Sequence, residues 1–141
     1  MRYLGMDLGT TTLGLAISDK LNIIASPLKV INFKKEDYES IMPEIEKIIK
    51  DNGITDIVLG LPKNMDNSLG FAAERSLNFK KMLERFNVNI HLYDERLTTV
   101  EAFNILKATG NKKINQKNVI DAVSANIILD SYLKGLKWKI K

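Results

Sequence analysis

The sequence predicts an α/β fold: a mixed five-stranded sheet, three antiparallel strands followed by two parallel ones, with helices on both faces. Three observations lead there. Three short extended segments open the chain and lie close enough together for hairpin-like antiparallel pairing. Helical and extended patterns then alternate, as in a sheet whose parallel strands are joined by crossover helices. Asp56–Leu61, finally, is a continuous apolar run, the pattern of a strand covered on both faces.

Met1–Leu8 reads as the first strand and Leu13–Asp19 as the second, joined by a tight Gly9-Thr10-Thr11-Thr12 connection. Ile23–Phe33 is a third extended stretch, interrupted by Pro27. A helix follows. Ser40 can cap it, Pro43 falls in the first turn where a missing N–H is harmless, and Ile41, Ile45, Ile48 and Ile49 form one stripe. Asn52-Gly53 ends it. After the Asp56–Leu61 strand, Ala72–Phe86 reads as a helix with Leu77, Met82, Leu83 and Phe86 among its apolar positions. Val88–Tyr93 alternates as a strand and Thr98–Ala108 is a further short helix. A polar loop, Thr109–Lys117, leads to a last helix from about Asn118 to Leu136. The order β-β-β-α-β-α-β-α-α makes one domain, residues 1–141, without internal repeat or linker.

Bulk properties narrow the function. A chain of 141 residues, 45% hydrophobic and 27% charged, suffices for a proper core. Its apolar runs are too short to span a membrane and no signal peptide is evident, so a cytoplasmic location is expected. Cysteine is absent, which removes disulfides and thiolate zinc sites together. The net charge of +4 is uneven: from Lys107 to Lys141 eight lysines face only Asp121 and Asp130. A basic C-terminal third points to a polyanion partner, though a solvated lysine-rich face would look the same.

Three acids stand out. Asp7 lies near the end of the first strand, alternating to the side it shares with Gly5 and Gly9, where small neighbours leave room for a ligand. Buried there, it requires a partner or a metal, unless it merely caps the next turn. Asp94-Glu95-Arg96 follows the strand ending at Tyr93, at the strand end that faces the usual site crevice. Asp94 could serve as a helix cap, yet Thr98 and Thr99 can take that role and free both acids. Asp121 sits on the last helix, where Val119, Ile120, Val123, Ile127 and Ile128 span an arc of roughly 180° and Asp121 falls about 20° beyond it, beside Ala125. Clustered carboxylates are what a nuclease needs to hold Mg²⁺ or Mn²⁺, hard cations that prefer oxygen ligands. The lone histidine, His91, is mid-strand and reads as packing rather than as a base.

Four blocks resemble the YqgF (RuvX-type) family of pre-16S ribosomal RNA nucleases, also described as Holliday-junction-resolvase-like. They are Gly5-Met6-Asp7-Leu8-Gly9-Thr10 through Gly14–Asp19, Val58–Asp66, Asp94–Ala102, and Val119-Ile120-Asp121-Ala122 with Ile127–Leu133. The resemblance implies a ribonuclease H-like fold, with Asp7, Glu95 and Asp121 as catalytic, metal-binding acids; Asp94, next to Glu95, is a reserve ligand on its position alone. It also implies 5′-end maturation of 16S rRNA in the cytoplasm. Departures from the family pattern include Asn67, Phe71-Ala72 for a frequent Pro-Arg, and Ser124; the second removes an arginine from that loop.

For phosphate contacts the sequence offers Lys63, Arg96, Lys112, Lys113 and Lys117, with Arg96 alternatively pairing with a nearby acid. Backbone amides near Gly9–Thr11 could also meet a phosphate. No aromatic platform for stacking bases is evident, since Trp138 is near the terminus and Phe and Tyr are scattered as core residues would be. Three other readings compete. Asp7-Leu8-Gly9-Thr10-Thr11 also resembles the first phosphate loop of the actin, Hsp70 and sugar-kinase superfamily, which needs a second domain. A branched-DNA resolvase and a metal-free RNA-binding module on the same scaffold are the other two. Oligomeric state stays open.

Overall fold

The computed structural model describes residues 2–62, 69–95 and 116–139, with side chains 121–136 in the last segment. Five strands, β1 (Tyr3–Leu8), β2 (Thr12–Ser18), β3 (Ala25–Asn32), β4 (Asp56–Leu61) and β5 (Asn89–Asp94), form one sheet in the order β3-β2-β1-β4-β5. β1 pairs antiparallel with β2 and β2 with β3, while β1–β4 and β4–β5 are parallel. This is the mixed sheet expected from the sequence. Pro27 is accommodated because β3 is an edge strand whose pairing with β2 shifts register between Leu15 and Ala16.

Helices cover both faces. α1 (Met42–Asn52) and α2 (Phe71–Leu83) take one side, where Leu4, Met6, Leu13, Leu15, Ile57 and Leu59 pack with Ile45, Ile49, Phe79 and Leu83. α3 (Gln116–Lys139) takes the other, where Tyr3, Ala16 and Val58 meet Ala125, Ile128, Leu129 and Leu133. The expected helix at Thr98–Ala108 lies outside the described residues. Among the described residues no helix is long and apolar enough to cross a membrane.

Two local expectations change. Ser40 does not cap α1: its hydroxyl donates to Asp37 O at 2.7 Å within a 3₁₀ turn, Tyr38–Ile41, and α1 begins after that turn with Pro43 in its first positions. Gly53 closes α1 as expected, in the left-handed conformation at φ 62°. His91 is structural, as its mid-strand place suggested. Its Nε2 lies 2.9 Å from Oδ1 of the buried Asp56, and its ring lies 5.3 Å from that of Tyr132 on α3. Burial pulls the Asp56 carboxyl upward, but hydrogen bonds from His91, Thr55 and Asn89 outweigh it and hold the pKa below the usual range.

The packing of α3 is unusually close. A Cβ on Gly5 would stand 2.7 Å from Leu129 Cβ, and one on Gly14 would stand 2.1 Å from the backbone oxygen of Asp121. The helix therefore rests on bare backbone, and the buried side of α3 is its small-residue side, Ala122, Ala125, Leu129 and Leu133 with Ile128. Asp121 is half-buried, as a boundary position beside Ala125 leads one to expect. Val123 and Ile127 are only half-buried. Gly14→Ala should destabilise the protein by about 3 kcal/mol or more, since neither backbone can yield to the new methyl. The readout is a lower urea midpoint at unchanged slope; a wild-type midpoint would mean α3 does not rest on β2.

Candidate active site

Asp7 occupies the carboxyl end of the central strand and points to the α3 face, the side that Gly5 presents to Leu129 and Ala125. Glycine flanks it on both neighbouring strands. On β2 its registered partner is Gly14, over which the Asp121 backbone sits. On β4 the residue following the registered Met6–Leu59 pair is Gly60, where a Cβ would come within 3.0 Å of Glu95 Oε2 and 2.8 Å of Ile128 Cδ1. The Glu95 carboxylate thus reaches back from the end of β5 across β4 toward β1. Side chains larger than hydrogen at positions 14 and 60 would hold the two outer acids away from the middle one.

The electrostatics record this crowding. Burial pushes the Asp7 carboxyl up to about 6, and the charge of Asp121 adds to the effect. Burial likewise pushes Glu95 up to about 7, with further contributions from Asp7 and then Asp94. Asp121 Oδ2 is buried and has no hydrogen-bond partner among the described residues. Such an oxygen is costly to leave unsatisfied, so the arrangement suits a group that supplies positive charge from outside the chain. As the side chains stand, no group of three acids or histidines among the described residues is arranged to hold a metal ion.

The structure therefore brings together Asp7, Glu95 and Asp121 from three elements, with Asp94 adjacent. Lys63, Arg96, Lys112 and Lys113 lie outside the described residues, and Lys117 is in α3 with its side chain outside them. One aromatic departs from expectation. Phe71 opens α2 rather than preceding it, lies off the buried stripe of Ala73, Ser76, Phe79 and Leu83, and is 87% exposed. The sequence signal was its replacement of a proline at the helix start, not any feature of Phe71 itself.

A family model described as "RuvX: Holliday junction resolvase" matches residues 1–135. A protein of Lactobacillus gasseri named "Putative pre-16S rRNA nuclease" is 41% identical over 140 residues, covering 97% of this chain and 98% of its own. One of Bacillus subtilis with the same name is 42% identical over 137 residues, covering 96% and 99%. Among solved structures, Thermus thermophilus RuvC in complex with a Holliday junction substrate superposes with a TM-score of 0.63 at 15% identity, covering 98% of this chain and 96% of that one. The Fowlpox virus resolvase bound to Holliday junction DNA gives 0.58 at 11%, covering 96% and 99%. The ribonuclease H-like fold is thereby shown.

The raised carboxyls fix a pH dependence. An acid whose pKa is higher folded than unfolded favours the folded state below its unfolded value, and that advantage is lost as the pH rises through the folded value. For Asp7 the window runs from 3.8 to about 6, and for Glu95 from 4.5 to about 7. Metal-free protein should lose stability across it. Asp7→Asn should be more stable than wild type at neutral pH by about 2 kcal/mol, and no more stable below pH about 4. Thermal melts at the two pH values check this; a destabilised variant at neutral pH would mean that Asp7 is already neutralised.

Proposed function

Because the chain belongs to the RuvX family, we propose that it is a nuclease that hydrolyses phosphodiester bonds, with the 5′ end of pre-16S rRNA as its substrate in the cytoplasm. The observation that carries this reading is the convergence of Asp7, Glu95 and Asp121 at one end of the sheet, with one buried oxygen left unbonded. The substrate comes from relatives about 40% identical over nearly their whole length.

Asp7, Glu95 and Asp121 would hold Mg²⁺ or Mn²⁺, with Asp94 in reserve. Their donors are all hard oxygens, which suits these cations. When bound, such a cation activates water and neutralises charge on the phosphate and the leaving oxygen. The chain itself supplies placement. Asp7 is fixed on the central strand, Asp121 on a helix that cannot rise off Gly14 without losing its core, and Glu95 by the space above Gly60. The crowding that raises two of the carboxyls would be relieved by added positive charge. Lys63, Arg96, Lys112, Lys113 and Lys117 are proposed phosphate contacts, which would position a strand without reading its sequence.

A four-way DNA junction is the competing substrate, because the family description names that activity. The deciding assay offers precursor 16S rRNA, single-stranded RNA and a four-way junction with Mg²⁺ or Mn²⁺. Asp7→Asn, Glu95→Gln and Asp121→Asn should each lower cleavage by about 100-fold or more, as when one preorganised group is removed from a catalytic site. Chelating the metal should have the same effect. Full-rate cleavage by Asp121→Asn would break the assignment, and tight RNA binding without cleavage by wild type would leave only a binding module.

A further inference from the structure

Around the rim of the sheet from the three acids, on the side covered by α1 and α2, lies a cleft of about 420 Å³ bordered by Thr10, Lys35, Tyr38, Phe71, Arg75 and Asn78. That volume is in the range of sites for small organic ligands, about 300–1,000 Å³. Three features mark it as more than a surface fold. Phe71 stands at its mouth, 87% exposed, presenting an aromatic ring that no core contact explains. The Tyr38 hydroxyl is buried behind it without a hydrogen-bond partner among the described residues, although the ring is held by edge contacts with Phe33 and Phe79 at 5.4 and 5.6 Å. Lys35 and Arg75 supply two cations, yet Glu36 and Glu74 in the same lining balance them.

That balance selects the ligand. A site for a bare phosphate would carry one sign of charge, and a purely apolar ligand would not be met by an amide, a phenol and two carboxylates. A nucleotide asks for this mixture. Its base has a flat face for an aromatic ring to stack on, its edge needs both donors and acceptors, and its phosphate needs cations. A lone exposed phenylalanine is ordinary on a protein surface; one beside an orphaned buried hydroxyl and two cations in a cleft is not.

The position fits as well. Thr10 is three residues beyond Asp7, so their Cα atoms are at most about 11 Å apart. The Glu36 N–H donates to Thr10 O at 2.9 Å and the Phe33 N–H to Thr11 O at 3.0 Å, which ties the cleft to the loop that continues from Asp7. We propose that this cleft holds one unpaired nucleotide of the strand whose nearby phosphate lies at the acids, its base stacked on Phe71 and its edge bonded by Asn78. The proposal rests on the nuclease reading and adds a requirement: the substrate is single-stranded beside the cut, because a paired and stacked base cannot enter.

Fluorescence anisotropy in chelator, where no cleavage occurs, tests it with a short labelled single-stranded RNA, the DNA of the same sequence, and the blunt RNA duplex. Phe71→Ala, a change at an exposed position, should weaken single-strand binding about tenfold, Phe71→Trp should restore it, and duplex binding should be unchanged. Equal loss on RNA and DNA places the contact on the base, and loss confined to RNA adds the ribose. Wild-type affinity of Phe71→Ala for the single strand, equal weakening on the duplex, or failure of wild type to bind either single strand overturns the cleft. A parallel cleavage assay separates the two claims. If wild type cleaves RNA or DNA with metal while Phe71→Ala binds normally, only the cleft fails. If wild type cleaves nothing while Phe71→Ala still loses single-strand binding, only the nuclease reading fails.

Discussion

The site depends on how closely α3 lies against a sheet face from which side chains have been removed. Gly5 lets Leu129 and the Ala125 carbonyl down onto β1, Gly14 takes the Asp121 backbone onto β2, and Gly60 admits Ile128 and the Glu95 carboxylate over β4. A methyl on Gly5 or Gly14 would clash with Leu129 Cβ or the Asp121 carbonyl, while one on Gly60 would displace the ends of the Ile128 and Glu95 side chains. Close packing of this kind lets little shift without cost, because interiors are dense and yield poorly. It is also what turns three acids from distant parts of the chain into one cluster.

That geometry crowds like charge together. Two carboxyls are pushed above their ordinary range by burial and by neighbouring carboxylates, Asp7 by Asp121 and Glu95 by Asp7 and Asp94, and an oxygen of the third has no partner among the described residues. The contrast with Asp56 is instructive, because it is at least as well shielded from water and yet keeps a low pKa. Thr55 Oγ1 donates to it at 2.6 Å and His91 Nε2 lies at 2.9 Å. The chain can satisfy a buried carboxylate where it needs only structure. At the carboxyl end of β1 burial and a neighbouring carboxylate raise the pKa instead, and perturbation of this kind concentrates at functional sites.

Much of this was legible in the sequence, for identifiable reasons. Element order followed from period and punctuation: the Asp56–Leu61 run, the Ile41–Ile49 stripe and Gly53 each carry a local signal that tertiary packing had no cause to override. Asp7 and Glu95 could be located because strand ends in an α/β sheet face a crevice. The orientation of α3 was not legible. That helix has apolar residues on most of its circumference, so its own pattern does not say which side is buried. The choice is made by the glycines of the sheet, which take Ala122, Ala125, Leu129 and Leu133 with Ile128 and leave Val123 and Ile127 half-buried, with Asp121 half-buried beside Ala125. Phe71 was missed for a related reason. Composition cannot distinguish an exposed aromatic from a core one, and only the fold shows that the α2 stripe runs through Phe79 and leaves Phe71 outside.

The central claim is that the three carboxylates form one cation site, and calorimetric titration of the metal-free protein with Mn²⁺ tests it most directly. The pH is set between the values of Asp7, about 6, and Glu95, about 7, where both are partly protonated. Repeating the titration in buffers of different ionisation enthalpy counts the protons released, since ligands must deprotonate to bind. The account predicts saturable binding with net proton release, both lost in Asp121→Asn. Absence of binding, or binding without proton release, would contradict it.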